Sequence, residues 1–363
     1  MDFPKIESRA LKYGFSNARV KGMKGLLLPM SFMEELIRVR TIDAMAELLQ
    51  RTHYKEDLVS LSMHHSGSEL IELGASRHFE KLVSKIKKMV PKDDLPIVNA
   101  LLRRWDILNL KTLVDAKRAG KKYEEIRPYL FAVGDLSYAD FERIAKSDEL
   151  GMFDEIKRTT LGSEMLSSST ADFSKNMRGI FANAMKNMDM FTQLETILDA
   201  YAYLFMEKGL SEVSGKDVSL FRRLLKKEID ARNILMIERL KKYNYSIEKI
   251  QTHLIKGGTL SESVILKLLE SKDYSAILSV AKSKFPKLEL PESNASLTSL
   301  EIAMEKAIAA ERLIAFYRGT LTIGVILGFI LLKYEEIRNL RKIAKAKEFR
   351  IPESQIKEML VVV

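Results

Sequence analysis

Cysteine is absent from all 363 residues. That one absence excludes disulfides, thiolate metal sites, iron–sulfur clusters and cysteine nucleophiles. Glycine (17) and proline (8) are also scarce, below their usual shares of about 7% and 5%. No proline lies between Pro128 and Pro286. A β-rich chain of this length needs many more turn residues, so the composition argues for a mostly helical protein. The longest uncharged run, Gly319–Leu332, is closed by Arg318 and Lys333. It falls short of the ~18–20 residues that cross a bilayer and reads as a buried core helix. The opening Met1-Asp2-Phe3-Pro4-Lys5 lacks the basic-then-apolar order of a signal peptide.

Catalytic motifs are missing too. The chain has no GxxxxGK[ST], no GxGxxG after a strand, no HExxH and no GxSxG. His64 and His65 are adjacent; on a helix they would point about 100° apart and could not chelate as an i,i+4 pair does. Asp93-Asp94 runs into Leu95-Pro96, which leaves a Mg²⁺-binding aspartate-rich signature incomplete. Glu124-Glu125 and Glu335-Glu336 sit in charged helical contexts and read as solvated faces. The expectation is a non-enzyme with no cofactor, no metal and no small-molecule substrate.

What the chain does contain is a repeat. Asp106–Leu130, Asp230–Leu254 and Glu336–Leu360 align without a gap. Their shared columns are Asp106/Asp230/Glu336, Asn109/Asn233/Asn339, Leu110/Ile234/Leu340, Leu113/Ile237/Ile343, Lys117/Lys241/Lys347, Ile126/Ile250/Ile356 and Leu130/Leu254/Leu360. A weaker repeat consists of the turns Leu28–Ser31, Gly134–Ser137 and Gly258–Ser261. Each final Ser is placed to cap the next helix, and that helix breaks near Asp43, Asp148 or Asp273. One unit used three times follows: 1–132, 133–256 with an insertion near 160–180 that includes a Ser167–Thr170 loop, and 257–363. Apolar residues recur at helical spacing at Phe79, Leu82, Val83 and Ile86. They do so again at Leu194, Ile197, Leu198, Tyr201, Leu204 and Phe205, and from Ile302 to Tyr317. The fold class is all-α: three similar helical domains in a pseudo-three-fold arrangement.

Spacing of three puts the acid and the Asn on one helix face. An Asn at the edge of an apolar stripe must find partners. The pairs Asp106/Asn109, Asp230/Asn233 and Glu336/Asn339 therefore read as hydrogen-bonding latches within each domain, in preference to partner contacts. Positive charge also repeats. Arg103–Lys122 holds seven basic and two acidic residues, Arg222–Lys242 eight and three, and Lys333–Arg350 seven and three. Arg103, Arg104, Arg222, Arg223, Arg338, Arg341 and Lys342 form a candidate band facing an acidic protein or an anionic membrane surface. A set of solvated helix faces is the plainer reading. The windows lack the interleaved aromatics of nucleic-acid binders, so a scaffold binding nucleic acid is the less favoured alternative.

The run Tyr13-Gly14-Phe15-Ser16-Asn17-Ala18-Arg19-Val20, followed by Leu26-Leu27-Leu28, resembles the opening of the C subunit of the archaeal A-type ATP synthases. Thr322–Ile330, then Lys333 and Glu336–Arg341, resembles that family's closing motif. The d subunit of the vacuolar-type ATPase is the eukaryotic relative. The resemblance implies a three-domain, funnel-shaped, all-helical rotor component. It implies a place on the cytoplasmic face of the membrane, peripheral to it. There the protein joins the axle of the D and F subunits to the proteolipid c ring and carries torque for proton- or sodium-coupled ATP synthesis or hydrolysis, without catalysis of its own.

Overall fold

The computed structural model describes residues 3–167, 198, 201–203, 206, 210, 216–271, 273–290, 296–318 and 320–361. These are helices and connecting turns, with no strand among them. Three long helices carry the repeated motif: Leu95–Arg118, Lys216–Lys242 and Ile323–Glu348, called the first, second and third latch helix below. All three end alike. Lys121 N donates to Ala116 O, Tyr245 N to Leu240 O and Ile351 N to Ala346 O. The residue before each donor takes a left-handed conformation: Gly120 (φ 66°), Asn244 (57°) and Arg350 (53°). That is a helix-terminating motif in which an otherwise orphaned carbonyl is satisfied. Glycine bears the conformation without strain, Asn tolerates it, and Arg carries a steric cost that the surrounding bonds hold in place.

Among the described residues, buried apolar side chains gather in three clusters. The first latch helix gives Ile97, Val98, Leu101, Leu102 and Trp105 to one cluster and Ile107, Leu110, Leu113 and Val114 to another. The second gives Val218–Ile229 to the first of these and Ile234, Ile237 and Leu240 to a third. Membership changes hands at Asp106 and Asp230. The third latch helix stays in the large cluster, where Ile337, Leu340 and Ile343 join Met33, Leu36, Ile37 and Leu49 from the other end of the chain. Each such side chain, fully buried, contributes about 1.5–3 kcal/mol over an exposed position. The long apolar run lies inside the protein: Ile323–Leu332 is buried throughout. Among the described residues no helix is long and apolar enough to cross a membrane.

The helix starts correct the sequence reading in the first copy. Ser137 and Ser261 do cap their helices, accepting from Asp140 N and Val264 N. Ser31 does not: the helix Met30–Arg38 starts at Pro29. The next cap is Thr41, which accepts from Ala44 N, where Asp148 and Asp273 serve in the other copies. Aligned by these caps, Leu28 matches Leu136 and Leu260, two places from the register that the Ser residues suggest. Proline fixes its own φ and so starts a helix without a side-chain cap. Helix Thr160–Ser167 occupies the start of the expected insertion and ends on the first residue of its Ser167–Thr170 loop. The rest of that loop, with Leu194, Ile197, Leu204 and Phe205, lies outside the described residues.

Candidate functional site

Each latch Asn pairs with the backbone of one residue 22 places on. Asn109 Nδ2 donates to Phe131 O (2.6 Å) and Phe131 N to Asn109 Oδ1 (3.0 Å). Asn233 pairs likewise with Ile255 (2.8 and 2.8 Å) and Asn339 with Val361 (2.6 and 3.1 Å). A carboxamide is the side chain that offers one donor and one acceptor side by side, so it replaces a backbone partner for an extended residue. All three Asn side chains are buried, where an unpaired amide would be costly.

The acids hold the turns that precede the next short helix. Asp106 accepts from Asp135 N (2.7 Å) and Leu136 N (3.2 Å). Asp230 accepts from Thr259 N (2.7 Å), Leu260 N (3.0 Å) and the Thr259 hydroxyl. Glycine is required in both turns: a Cβ on Gly134 or Gly258 would lie 2.2 Å from the carboxylate oxygens of Asp106 or Asp230. Burial pushes the Asp106 carboxyl up to about 7, against the pull of its two N–H donors.

The third acid closes onto the beginning of the chain. Glu336 accepts from Leu28 N (2.5 Å), Tyr54 Oη (2.6 Å) and Lys333 Nζ (2.6 Å). Leu27 N is already spent on Lys24 O, so one backbone donor remains for this acid. Tyr54 and Lys333 supply the others, and the extra methylene of Glu suits the changed geometry. Lys333 is fully buried and also donates to Leu26 O (2.7 Å), while His53 Nε2 lies 2.8 Å from its Nζ. Burial, then the charge on Lys333 and His78, holds His53 down to about 3, so its ring is neutral and can accept that proton.

The repeated Lys finishes each latch. Lys117 donates to Ala145 O (2.8 Å), Lys241 to Leu268 O (2.9 Å) and Ser271 O, and Lys347 to Ile37 O (2.8 Å) and Val39 O. Every acceptor is a carbonyl at the C-terminus of the short helix that starts at the latched turn, where a cation is favoured. The column was visible in sequence; its task was not, because the acceptors are anonymous carbonyls.

The basic band turns largely inward. Arg103 pairs with Asp135 and Glu164, and Arg104 with Glu228. Arg222 donates to Leu210 O. Arg338 pairs with Glu335 and Glu305, and Lys342 with Glu305 and Met359 O. Arg341 reaches Ser76 Oγ and stacks 4.3 Å over Phe131. Arg223 is exposed. Counting charge along a helix does not tell which face it occupies, and these helices are packed on several sides.

A chain of buried charge lies where the latch helices meet. Arg312, invisible as a candidate in sequence, bridges Glu228 (2.8 Å) and Glu335 (3.1 Å). Burial raises the Glu228 carboxyl, but Arg104 and Arg312 outweigh it and hold the group down to about 2. A cavity of 430 Å³ opens beside this chain. Arg104, Glu228 and Tyr334 line it, each two residues before a latch acid, together with Arg232, Arg312 and Arg338. Such a cavity has room for side chains of a partner, and its walls carry fixed charges of both signs.

The profile of the ATP synthase (C/AC39) subunit family matches residues 16–359. The C subunit of the A-type ATP synthase of Methanosarcina barkeri is 26% identical over 361 residues, covering 97% of this chain and 93% of that protein. The same subunit of Thermococcus onnurineus is 26% identical, covering 96% and 90%, and that of Methanocaldococcus jannaschii 22%, covering 96% and 86%. The chain belongs to the ATP synthase (C/AC39) subunit family.

Proposed function

We propose that the chain is a non-catalytic rotor component of the central stalk of an A-type or V-type ATP synthase. It sits on the cytoplasmic face of the membrane, links the axle of the D and F subunits to the proteolipid c ring, and transmits torque. The family match over residues 16–359 carries this reading. The latches support it. Torque passes without loss only through a body that resists twisting, and packed helices transmit strain well. Here the last long helix is bonded to the first turn through Glu336 and Leu28, and to the first short helix through Lys347 and Ile37. In the same reading the segments 1–132, 133–256 and 257–363 are three related modules, arranged with pseudo-three-fold symmetry as a funnel. The recurrence of one bond set at a constant 22-residue separation supports the kinship of the modules.

The test is direct. Purified chain mixed at micromolar concentration with the D–F pair, or with detergent-solubilised c rings, should elute with each as a stoichiometric complex. Binding to neither removes the proposal.

A further inference from the structure

The helix Phe3–Gly22 packs on the protein along one side. Tyr13, Ser16, Asn17 and Val20 are buried, and Asn17 exchanges two 2.9 Å hydrogen bonds with the backbone of Thr322. The other side faces out. Leu11 is 88% exposed and Phe15 68%; Ala18 is exposed as well. Spacings of four and three place them in one stripe. From Arg9 to Met33 the chain has no acidic residue and five basic ones: Arg9, Lys12, Arg19, Lys21 and Lys24. Lys12 is tied to Asp94. Arg19, Lys21 and Lys24 are exposed, and the Lys24 ammonium lies 4.8 Å over the half-exposed ring of Tyr317.

An apolar stripe bordered by cations, with no carboxylate between them, is the pattern of a helix lying in a membrane interface. The surface is a single convex helix face, not a groove, so it offers little for a protein side chain to enter. A sheet of anionic headgroups matches both its shape and its charge. We propose that this face rests on an anionic bilayer surface. Leu11 and Phe15 enter the headgroup region, and Arg19, Lys21 and Lys24 face lipid phosphates. The inference rests on reading the chain as a peripheral membrane protein and names the surface by which it touches the membrane.

The experiment is cosedimentation of the full chain with vesicles of phosphatidylcholine alone or mixed with phosphatidylglycerol. Binding should require the anionic lipid and fall with salt. The double variant Leu11→Gln/Phe15→Gln should bind at least tenfold more weakly. The triple variant Arg19→Ser/Lys21→Ser/Lys24→Ser should bind roughly a hundredfold more weakly, three surface charges having been removed. All these side chains are exposed, so helical circular dichroism and the melting temperature should hold. No binding of the parent chain to anionic vesicles at low salt overturns the inference, as does unchanged binding of both variants. Assembly with D–F and detergent-solubilised rings is measured in parallel. If the parent assembles but ignores vesicles, the lipid contact alone fails. If the parent ignores vesicles and the variants also lose assembly, the face is a protein contact and the lipid contact is again refuted. Failure of the parent chain to assemble removes the rotor reading itself.

Discussion

Replacing Asn233 tests the latch at its simplest. Asn233 is 3% exposed and Ile255 8%, so water has little access to the groups between them. Asn233→Leu keeps the branched shape, with bulkier ends, but removes both hydrogen bonds, leaving Ile255 N–H and C=O unpaired. Each orphaned buried group costs about 1–3 kcal/mol, and the added apolar burial of Leu offsets part of it, so a net loss of about 2–4 kcal/mol is expected. Asn233→Asp separates the two bonds. The carboxylate keeps the acceptor for Ile255 N–H but loses the donor and faces Ile255 O with a negative charge. A protonated carboxyl has one O–H and one C=O, and so restores the amide's pattern. The folded-state pKa of that Asp must therefore lie above its unfolded value. Its stability deficit should be large at pH 7 and shrink as pH falls through the folded pKa. Urea unfolding of the parent and both variants at pH 7 and pH 5 measures this. The Leu variant should show no such recovery. A Leu variant as stable as the parent, or an Asp variant whose deficit is independent of pH, refutes the latch as argued.

Gly258→Ala places a Cβ 2.2 Å from Asp230 and should cost about 1–3 kcal/mol by strain in a packed site. Gly14→Ala, with nothing within 4 Å of the new Cβ, should stabilise by about 0.5–1 kcal/mol through helix propensity; equal melting shifts would contradict the reading. Asp106 has a folded pKa raised to about 7, so its contribution is fully present below the unfolded value of about 4 and is lost as pH rises through 7. The parent should therefore lose more stability than Asp106→Asn between pH 4.5 and 7.5, by up to about 1.4 kcal/mol per pH unit; parallel curves would argue against it. Lys347→Met removes the cap on Ile37 O and Val39 O and should cost about 1–3 kcal/mol, with faster amide exchange in helix Met30–Arg38; unchanged exchange there would show the contact to be idle.

Helical class, the absence of catalytic motifs and the Asp-x-x-Asn and Lys columns were all legible in the amino-acid order. Each is a local property: composition sets helix propensity, and spacing sets which residues share a face. The family was legible as well, from Tyr13–Val20 and Thr322–Arg341. Four things were not. Only packing reveals that Glu336 and Lys347 close on the chain's first turn and first short helix, because those bonds join residues about 310 places apart. Only packing turns Arg104, Arg338 and Lys342 inward, since a sequence window counts charge without direction. Arg312 stands in no repeat column, yet it joins two buried carboxylates at the junction of the helices. The exposure of Leu11 and Phe15 depends on which side of their helix Asn17 anchors to Thr322. Local pattern determined what each segment is; the tertiary structure alone decided which segments meet, because burial and long-range pairing belong to the folded chain and not to any stretch of it.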